Sequence, residues 1–506
     1  MRGVVAAGHP VTAEAGADAL RAGGNAVDAA VAAMLMSFVT ESPLTGPGAG
    51  GFMLVHSASG ENALLDFFVA APGSGLDGVE PAALEPIDVH FSAEATQVFN
   101  IGPSSCGVYG NPAGAAEALE RFGTMPLSAL VERPARAARD GVELAPMAAT
   151  FLVILAPILT ATAEAAAIYA PEGRPLTAGE QIRMPELGDF LERLGAEGPG
   201  FAYTGDVASA VSRWVLERGG LLSEADLAEY APVDREPARA AYRGRQVLTN
   251  PPPSSGGILI AYSLDLLERL CRACDVRTLV EVMDRTNRER TDEFVQGLQS
   301  EGYLERFLHR EAIDSAASEL GSRLGSTTHL AVLDADGNCA SVTASNGSCS
   351  GVVVPGTGIH LNNMLGEEDL NPGGFHRHQP GRRIPSMMAP TVVLRDGEPE
   401  IALGSAGSNR IRSAILQTIL RVVDEGMPAQ EAVAAPRVHY EGRNVEAEPG
   451  VEEDALTALE RAGWPVHRFR ERNLYFGGVQ AVARDRATGA LSGGGDPRRG
   501  GAVAAA

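Results

Sequence analysis

The sequence predicts a layered α/β fold, and three observations carry that prediction. Two helical patterns and a strand open the chain, helices dominate from about 113 to 315, and hairpin signals crowd the stretch after 327. Residues 12–21 read as a short helix ended by Gly23-Gly24. Asn25 caps a second helix, with Val27, Val31, Met34, Leu35 and Phe38 at helical spacing on one face. Gly46-Pro-Gly-Ala-Gly-Gly51 matches GxGxxG literally, but it follows a helix and enters the strand 52–55. A dinucleotide loop has the opposite order, so this is a tight glycine turn. The uncharged run 144–163 is broken by Pro146 and Pro157 and reads as a buried helix pair rather than a membrane span. Asn250-Pro-Pro-Pro-Ser-Ser-Gly-Gly257 is a rigid turn before an apolar helix from Ile258. Strands 328–333 and 339–345 flank the turn Asp334-Ala-Asp-Gly-Asn338, and 358–362 is a further strand. Strands 391–394 and 400–403 flank Arg395-Asp-Gly397, after which Gly404-Ser-Ala-Gly-Ser408 opens a helix reaching about 425. A last hairpin pairs 477–484 with 500–505.

Composition removes several functions. With 64 acids against 41 bases the net charge is −23, which disfavours any sequence-independent grip on nucleic acid. All the bases are arginine, so Schiff-base, pyridoxal-phosphate, phosphate-loop and protein-kinase lysine chemistry are excluded. Five cysteines, an odd number, imply no disulfide framework, and Cys271-Arg-Ala-Cys274 reads as two buried thiols on a helix. The opening Met1-Arg-Gly-Val-Val-Ala-Ala is too short an apolar stretch for a secretory leader, so a cytoplasmic protein without membrane contact is expected. GxSxG, HExxH and the EF-hand loop are absent. His376-Arg-His378 lacks a carboxylate at ligand spacing and reads as solvated loop histidines; neither metal nor cofactor is expected.

Thr327, after Gly325-Ser326 and before Thr328-His329, is the residue with chemical promise. A threonine serves as a nucleophile without histidine when it is the first residue of a chain. Its own α-amino group, with a reference pKa of about 7.7–8.0, is then the general base. That requires the chain to cut itself between Ser326 and Thr327 through attack of the threonine hydroxyl on the preceding carbonyl. Taken alone, the residue reads as a β-branched strand start.

Its surroundings decide between the two. His9-Pro, Ala13-Glu-Ala-Gly16, Gly23-Gly-Asn-Ala-Val-Asp-Ala-Ala30 and Gly50-Gly-Phe-Met53 form one set of motifs. Tyr203-Thr-Gly-Asp206, Gly219-Gly-Leu-Leu-Ser-Glu-Ala-Asp-Leu227 and Pro251-Pro-Pro-Ser-Ser-Gly-Gly257 follow. Thr327-Thr-His329, Asp334-x-Asp-Gly-Asn338, Asn362-Asn363 and Gly404-Ser-Ala-Gly407 complete the series. In this order they resemble the γ-glutamyltransferase (glutathione hydrolase) family of N-terminal-nucleophile hydrolases over nearly the whole chain. The resemblance implies a four-layer αββα sandwich. It also implies a proenzyme cleaved into a large chain 1–326 and a small chain 327–506, which stay together as one αββα domain. Thr327 would attack a γ-glutamyl-type amide such as glutathione, and water or an amine would resolve the acyl-enzyme. Gly407 and Ser408 fall where the family aims two backbone N–H groups at the oxyanion. Thr343, Ser345 and Asn346 lie on the strand end that supports the nucleophile and the donor's α-carboxylate. Ser386 matches the first of a pair of serines, and Glu367 stands where an acid holds the α-amino group. A homo-oligomer of the processed pair is left open.

The departures concern substrate. Asp66-Phe67-Phe68-Val69 puts Phe68 where the resemblance calls for an arginine paired with the donor's α-carboxylate. Phenylalanine supplies neither the charge nor the bidentate fork. The second serine is Met387, Met364 replaces a polar residue, and the stretch between Gly373 and Arg383 is short for a lid. One reading is a γ-glutamyl hydrolase or transferase that uses another cation, with Arg383 and Arg410 the first candidates. A second is an amidase whose acyl group lacks the full amino-acid head, in the manner of related acylases; these typically use serine, so Thr327 favours the first. A non-catalytic relative is the third, and both Thr327 and the Gly407 loop speak against it.

Overall fold

A computed structural model describes residues 1–92, 95–270, 274–309 and 327–506. Ser326 and Cys271 lie outside the described residues. The strands of the two large sheets are, in chain order, β1 (Gly3–Ala7), β2 (Gly50–His56), β3 (Asn62–Phe67), β4 (Val233–Arg235), β5 (Ala238–Tyr242), β6 (Arg245–Thr249) and β7 (Thr328–Asp334). They continue with β8 (Cys339–Ser345), β9 (Thr391–Arg395), β10 (Glu398–Ala406), β11 (Gly478–Arg484), β12 (Leu491–Gly495) and β13 (Ala502–Ala505). The helices that matter for the site are α1 (Pro10–Arg21), α2 (Ala26–Thr40), α3 (Leu127–Asp140), α4 (Gly256–Leu270) and α5 (Arg410–Val423).

One sheet runs β13-β1-β7-β8-β2-β3-β4 and the other β12-β11-β10-β9-β6-β5, all pairs antiparallel. Both mix strands from before and after position 327. Strand alternation divides the first sheet's side chains between two cores. Val4, Ala6, Phe52, Leu54, Leu64, Ala331 and Leu333 share a cluster with Val392, Ile401, Leu403 and Val479 of the second sheet. Their neighbours Val5, Ala7, Met53, Val55, Leu65, Leu330 and Val332 share the other cluster with α1, α2 and α3. Ile260 and Leu264 of α4 and Ile411 and Ile415 of α5 belong to the second-sheet cluster.

Every residue of α2 is buried, Asp28 included. That is tolerated because Asp28 is saturated: it closes a capping box with Asn25 and accepts from the N–H groups of Thr124 (2.9 Å) and Met125 (3.0 Å).

The structure corrects several expectations. The last hairpin is β11 with β12, while β13 crosses to the first sheet beside β1. The glycine-rich 491–495 reads as loop in sequence because it has almost no side chains to alternate. Strands β1, β5 and β6 were not expected: Ala- and Arg-rich segments such as Ala238–Tyr242 lack a period-2 signal, and pairing makes them strands, β1 to β7 and β13, β5 to β6 and β6 to β9. The strand at 358–362 shrinks to Ile359–His360. Cys274 lies beyond the end of α4 and is half-buried rather than enclosed on a helix. The run 144–163 folds as short helices, Pro146–Ile154 and Ala156–Leu159, and among the described residues no helix is long and apolar enough to cross a membrane.

Candidate active site

Thr327 immediately precedes β7, and Ser345 ends β8. The register Thr328↔Ala344 therefore sets the two side by side, with Thr327 Oγ1 donating to Ser345 Oγ at 3.4 Å. Thr327 is buried. Its neighbours along β7 point elsewhere. Thr328 Oγ1 donates to Glu41 Oε2, and Thr12 Oγ1 donates to Glu41 Oε1 at 3.1 Å. Burial pushes the Glu41 carboxyl up to about 7, and the two hydroxyls only partly offset it. His329 Nδ1 lies 2.9 Å from Thr343 Oγ1, and burial lowers its pKa to about 3, so the ring is neutral. The ring lies against the backbone of Gly404, where a Cβ would come within 2.3 Å of His329 Cε1.

A pocket opens at Thr327, and its lining includes Ser345, Gly347, Ser386 and Ser408. Two acids, Glu367 and Asp369, also line it. Its apolar wall is Phe68, Met364, Leu370, Met387, Met388 and Ile411.

Each part is held from behind. Phe68 stacks on Phe52 with ring centroids 5.3 Å apart, and Tyr230 donates its hydroxyl to the Phe68 carbonyl at 2.9 Å. Segment 386–388 is bracketed by the turn at 250–257. Ser254 Oγ donates to the carbonyls of Ser386 (2.9 Å) and Met388 (2.8 Å), and the Ser255 N–H donates to the Ser386 carbonyl at 2.8 Å. The Met388 N–H in turn donates to Ser386 Oγ at 2.9 Å. Glu367 Oε1 and Asn363 Oδ1 both accept from the Ser348 N–H, at 3.1 and 2.7 Å. Burial and, after it, the neighbouring Asp369 raise the Glu367 carboxyl well above its usual range.

At the end of β10 the chain turns into α5 with φ of 117° at Gly407 and 50° at Ser408. Ser408 is thus a non-glycine residue in the left-handed region, a conformation that persists only where its surroundings enforce it. Ser408 Oγ donates to Asp369 Oδ2 at 2.7 Å, tying this turn to the acidic side of the pocket. The first N–H groups of α5, those of Arg410 and Ile411, donate back to the Gly407 and Ser408 carbonyls at 3.1 and 3.0 Å.

Of the residues singled out in the sequence, Phe68, Thr327, Ser345, Met364, Glu367, Ser386, Met387 and Ser408 meet in this one pocket. Gly407 adjoins it through Ser408. Thr343 sits behind it on His329. Asn346 also lies behind, with Nδ2 donating to the His360 carbonyl at 3.3 Å. Ser326 falls outside the described residues. Neither Arg383 nor Arg410 lines the pocket. Arg383 donates from Nε to Asp66 Oδ1 at 3.3 Å and stacks over the Tyr230 ring at 4.4 Å. Arg410 is buried with its guanidinium 4.8 Å from the Tyr475 ring centroid.

The sequence reading missed Asp369 and Gly347. Asp369 is two residues beyond Glu367 in the same loop, which was the available signal. His376 and His378 each donate to a backbone carbonyl, of Ser104 (2.8 Å) and Leu370 (3.2 Å). Among the described residues no cluster of side chains could hold a metal ion.

The family model described as gamma-glutamyltranspeptidase matches residues 12–506. The chain is 32% identical over 504 residues to the Acylase ACY 1 proenzyme of Pseudomonas sp. (strain SE83), covering 95% of this chain and 90% of that protein. It is 31% identical over 546 residues to the glutathione hydrolase proenzyme of Bacillus subtilis (strain 168), covering 99% and 91%. Among solved structures, the cephalosporin acylase from Bacillus halodurans superposes with a TM-score of 0.83 at 28% identity, over 100% of this chain and 96% of that one. Acylases and glutathione hydrolases thus stand at nearly equal distance. The mixed α/β fold matches theirs, and the chain belongs to the gamma-glutamyltranspeptidase family.

Proposed function

We propose that this protein is a self-processing amide hydrolase that works through a Thr327 acyl-enzyme. The two packed sheets with helices outside them are read as the four-layer αββα sandwich of N-terminal-nucleophile hydrolases. The observation that carries the reading is the meeting of Thr327, Ser345 and the Gly407–Ser408 turn at one pocket. That the acylase and glutathione hydrolase relatives are proenzymes supports maturation into chains 1–326 and 327–506.

In maturation Thr327 Oγ1 attacks the Ser326 carbonyl carbon, the peptide C–N bond breaks, and water hydrolyses the resulting ester. The released α-amino group then takes the proton of Thr327 Oγ1 as the hydroxyl attacks a substrate amide carbonyl. N–H groups at Gly407 and Ser408 meet the oxyanion. The proton passes to the leaving amine as the C–N bond breaks, and water releases the acyl group as an acid.

Within this chemistry an acylase-like specificity is preferred, because Phe68, Met364 and Met387 wall the pocket and Arg383 is committed to Asp66. Hydrolysis or transfer of γ-glutamyl groups is the second reading, supported by Glu367 and Asp369, which suit an α-amino group. Intact-mass measurement of wild type and Thr327→Ala, with amide hydrolysis assayed on both, tests the mechanism. Two chains and activity are expected from wild type, one inert chain from the variant. An uncut, active wild type overturns it.

A further inference from the structure

The pocket at Thr327 joins two carboxylates to an apolar wall. Glu367 is buried and Asp369 half-buried, and Asp369 is tied to the Ser408 turn. A cation to balance them does not come from the lining: among the described residues it contains no arginine or histidine, and the chain has no lysine. Two arginines stand outside the lining: Arg410, buried against the Tyr475 ring and within electrostatic reach of Asp369, and Arg383, which is itself buried. Arg383 gives its guanidinium to Asp66, to the Ala231 carbonyl and to the face of Tyr230.

We propose, resting on the amide-hydrolase reading above, that the acyl group this pocket accepts carries an ammonium group and no carboxylate, so that the substrates are short ω-aminoacyl amides. An acyl chain passing from Thr327 along Phe68 and Met387 loses water against apolar surface, and an ammonium beyond it meets Glu367 and Asp369. A carboxylate on that chain would be desolvated against methionine and phenylalanine and repelled by the two acids, with no fork to meet it. The raised Glu367 carboxyl agrees with this. Buried beside Asp369, Glu367 holds a proton more readily than an ordinary carboxylate, and an ammonium would take that place in the filled pocket.

The test compares four p-nitroanilides on the processed wild-type protein against enzyme-free blanks: 4-aminobutyryl, γ-glutamyl, glutaryl and butyryl. The first is γ-glutamyl without its carboxylate, the third is γ-glutamyl without its amine, and the fourth lacks both. The expected order puts kcat/KM for 4-aminobutyryl at least tenfold above each of the others. In Glu367→Gln the ratio of 4-aminobutyryl to butyryl should fall at least tenfold, a ratio taken within one variant and so insensitive to how much of it folds. Hydrolysis with glutaryl, γ-glutamyl or butyryl preferred overturns this inference and leaves the amide-hydrolase reading standing. An unchanged ratio in Glu367→Gln overturns it likewise. Inertness of the cleaved protein toward all four overturns the hydrolase reading, and this inference with it.

Discussion

Asp66 is fully buried at the end of β3 and is shared between two arginines, with Arg235 Nε at 2.7 Å and Arg383 Nε at 3.3 Å. The carboxylate also accepts the Phe68 N–H at 2.9 Å, so it fixes the backbone of the residue whose ring walls the pocket. Arg383 is thereby a structural counter-ion. Arg383→Ala should destabilise the protein by about 3 kcal/mol, because it removes one partner of a buried charge, with Arg235 retaining part of the pairing. Binding of substrates with and without a carboxylate should weaken alike. A selective loss for the carboxylate-bearing ones in inhibition assays would assign Arg383 to substrate instead.

Cleavage should follow the hydroxyl. Thr327→Ser should still divide the chain, more slowly, because serine lacks the methyl group that restricts χ1. A time course of intact mass after synthesis checks this, and cleavage as fast as wild type would show that the methyl has no positioning role.

Phe68→Arg should move the specificity. The residue is buried and stacked on Phe52, so overpacking and a buried charge should cost about 1–3 kcal/mol of stability. The arginine would face the pocket with a fork for a carboxylate. The ratio of kcat/KM for γ-glutamyl over butyryl anilide should rise at least tenfold, about 1.4 kcal/mol. Anilide kinetics on both proteins read this directly; an unchanged ratio would mean the acyl chain does not pass position 68.

Glu41 should make stability fall as pH rises. Its carboxyl is held at about 7 in the fold against 4.5 as the reference, so the folded chain keeps a proton that the unfolded chain loses. The contribution is fully present below pH 4.5 and is lost as pH rises through about 7, amounting to about 3 kcal/mol at most. Urea denaturation at pH 5 and pH 8 should show a smaller difference in Glu41→Gln than in wild type. Equal differences would place the Glu41 proton affinity near its ordinary value.

Gly404→Ala should be among the most damaging small substitutions. An alanine Cβ would meet the His329 ring at 2.3 Å, and the ring is held by Thr343 between the sheets. Loss of more than about 2 kcal/mol is expected from overpacking, and slowed cleavage with it, since His329 is two residues from Thr327. A melting temperature equal to wild type would show that the ring has room to move.

Much of the site was legible because its chemistry lies in short, ordered motifs. Thr327, Ser345, Glu367, Ser386 and Ser408 could be named from the chain, and the apolar replacements Phe68, Met364 and Met387 could be read as a change of pocket. The capped helix at Asn25 and the hairpin around Asp334–Asn338 were likewise local, fixed by residues within a few positions of one another. Charges were different. Whether Arg383 or Arg410 faces a substrate depends on partners far along the chain, on Asp66 for one and Tyr475 for the other. Asp369 is tied to the turn after β10 by Ser408, 39 positions away. Strands such as Ala238–Tyr242 and Leu491–Gly495 had no period of their own and were made by their neighbours' unpaired backbone. The sequence by itself determined the candidate residues Thr327, Gly407 and Ser408 and the apolar character of position 68. Only the tertiary structure decided which charges face the pocket, because an ion pair is a contact between distant segments and leaves no periodicity along the chain.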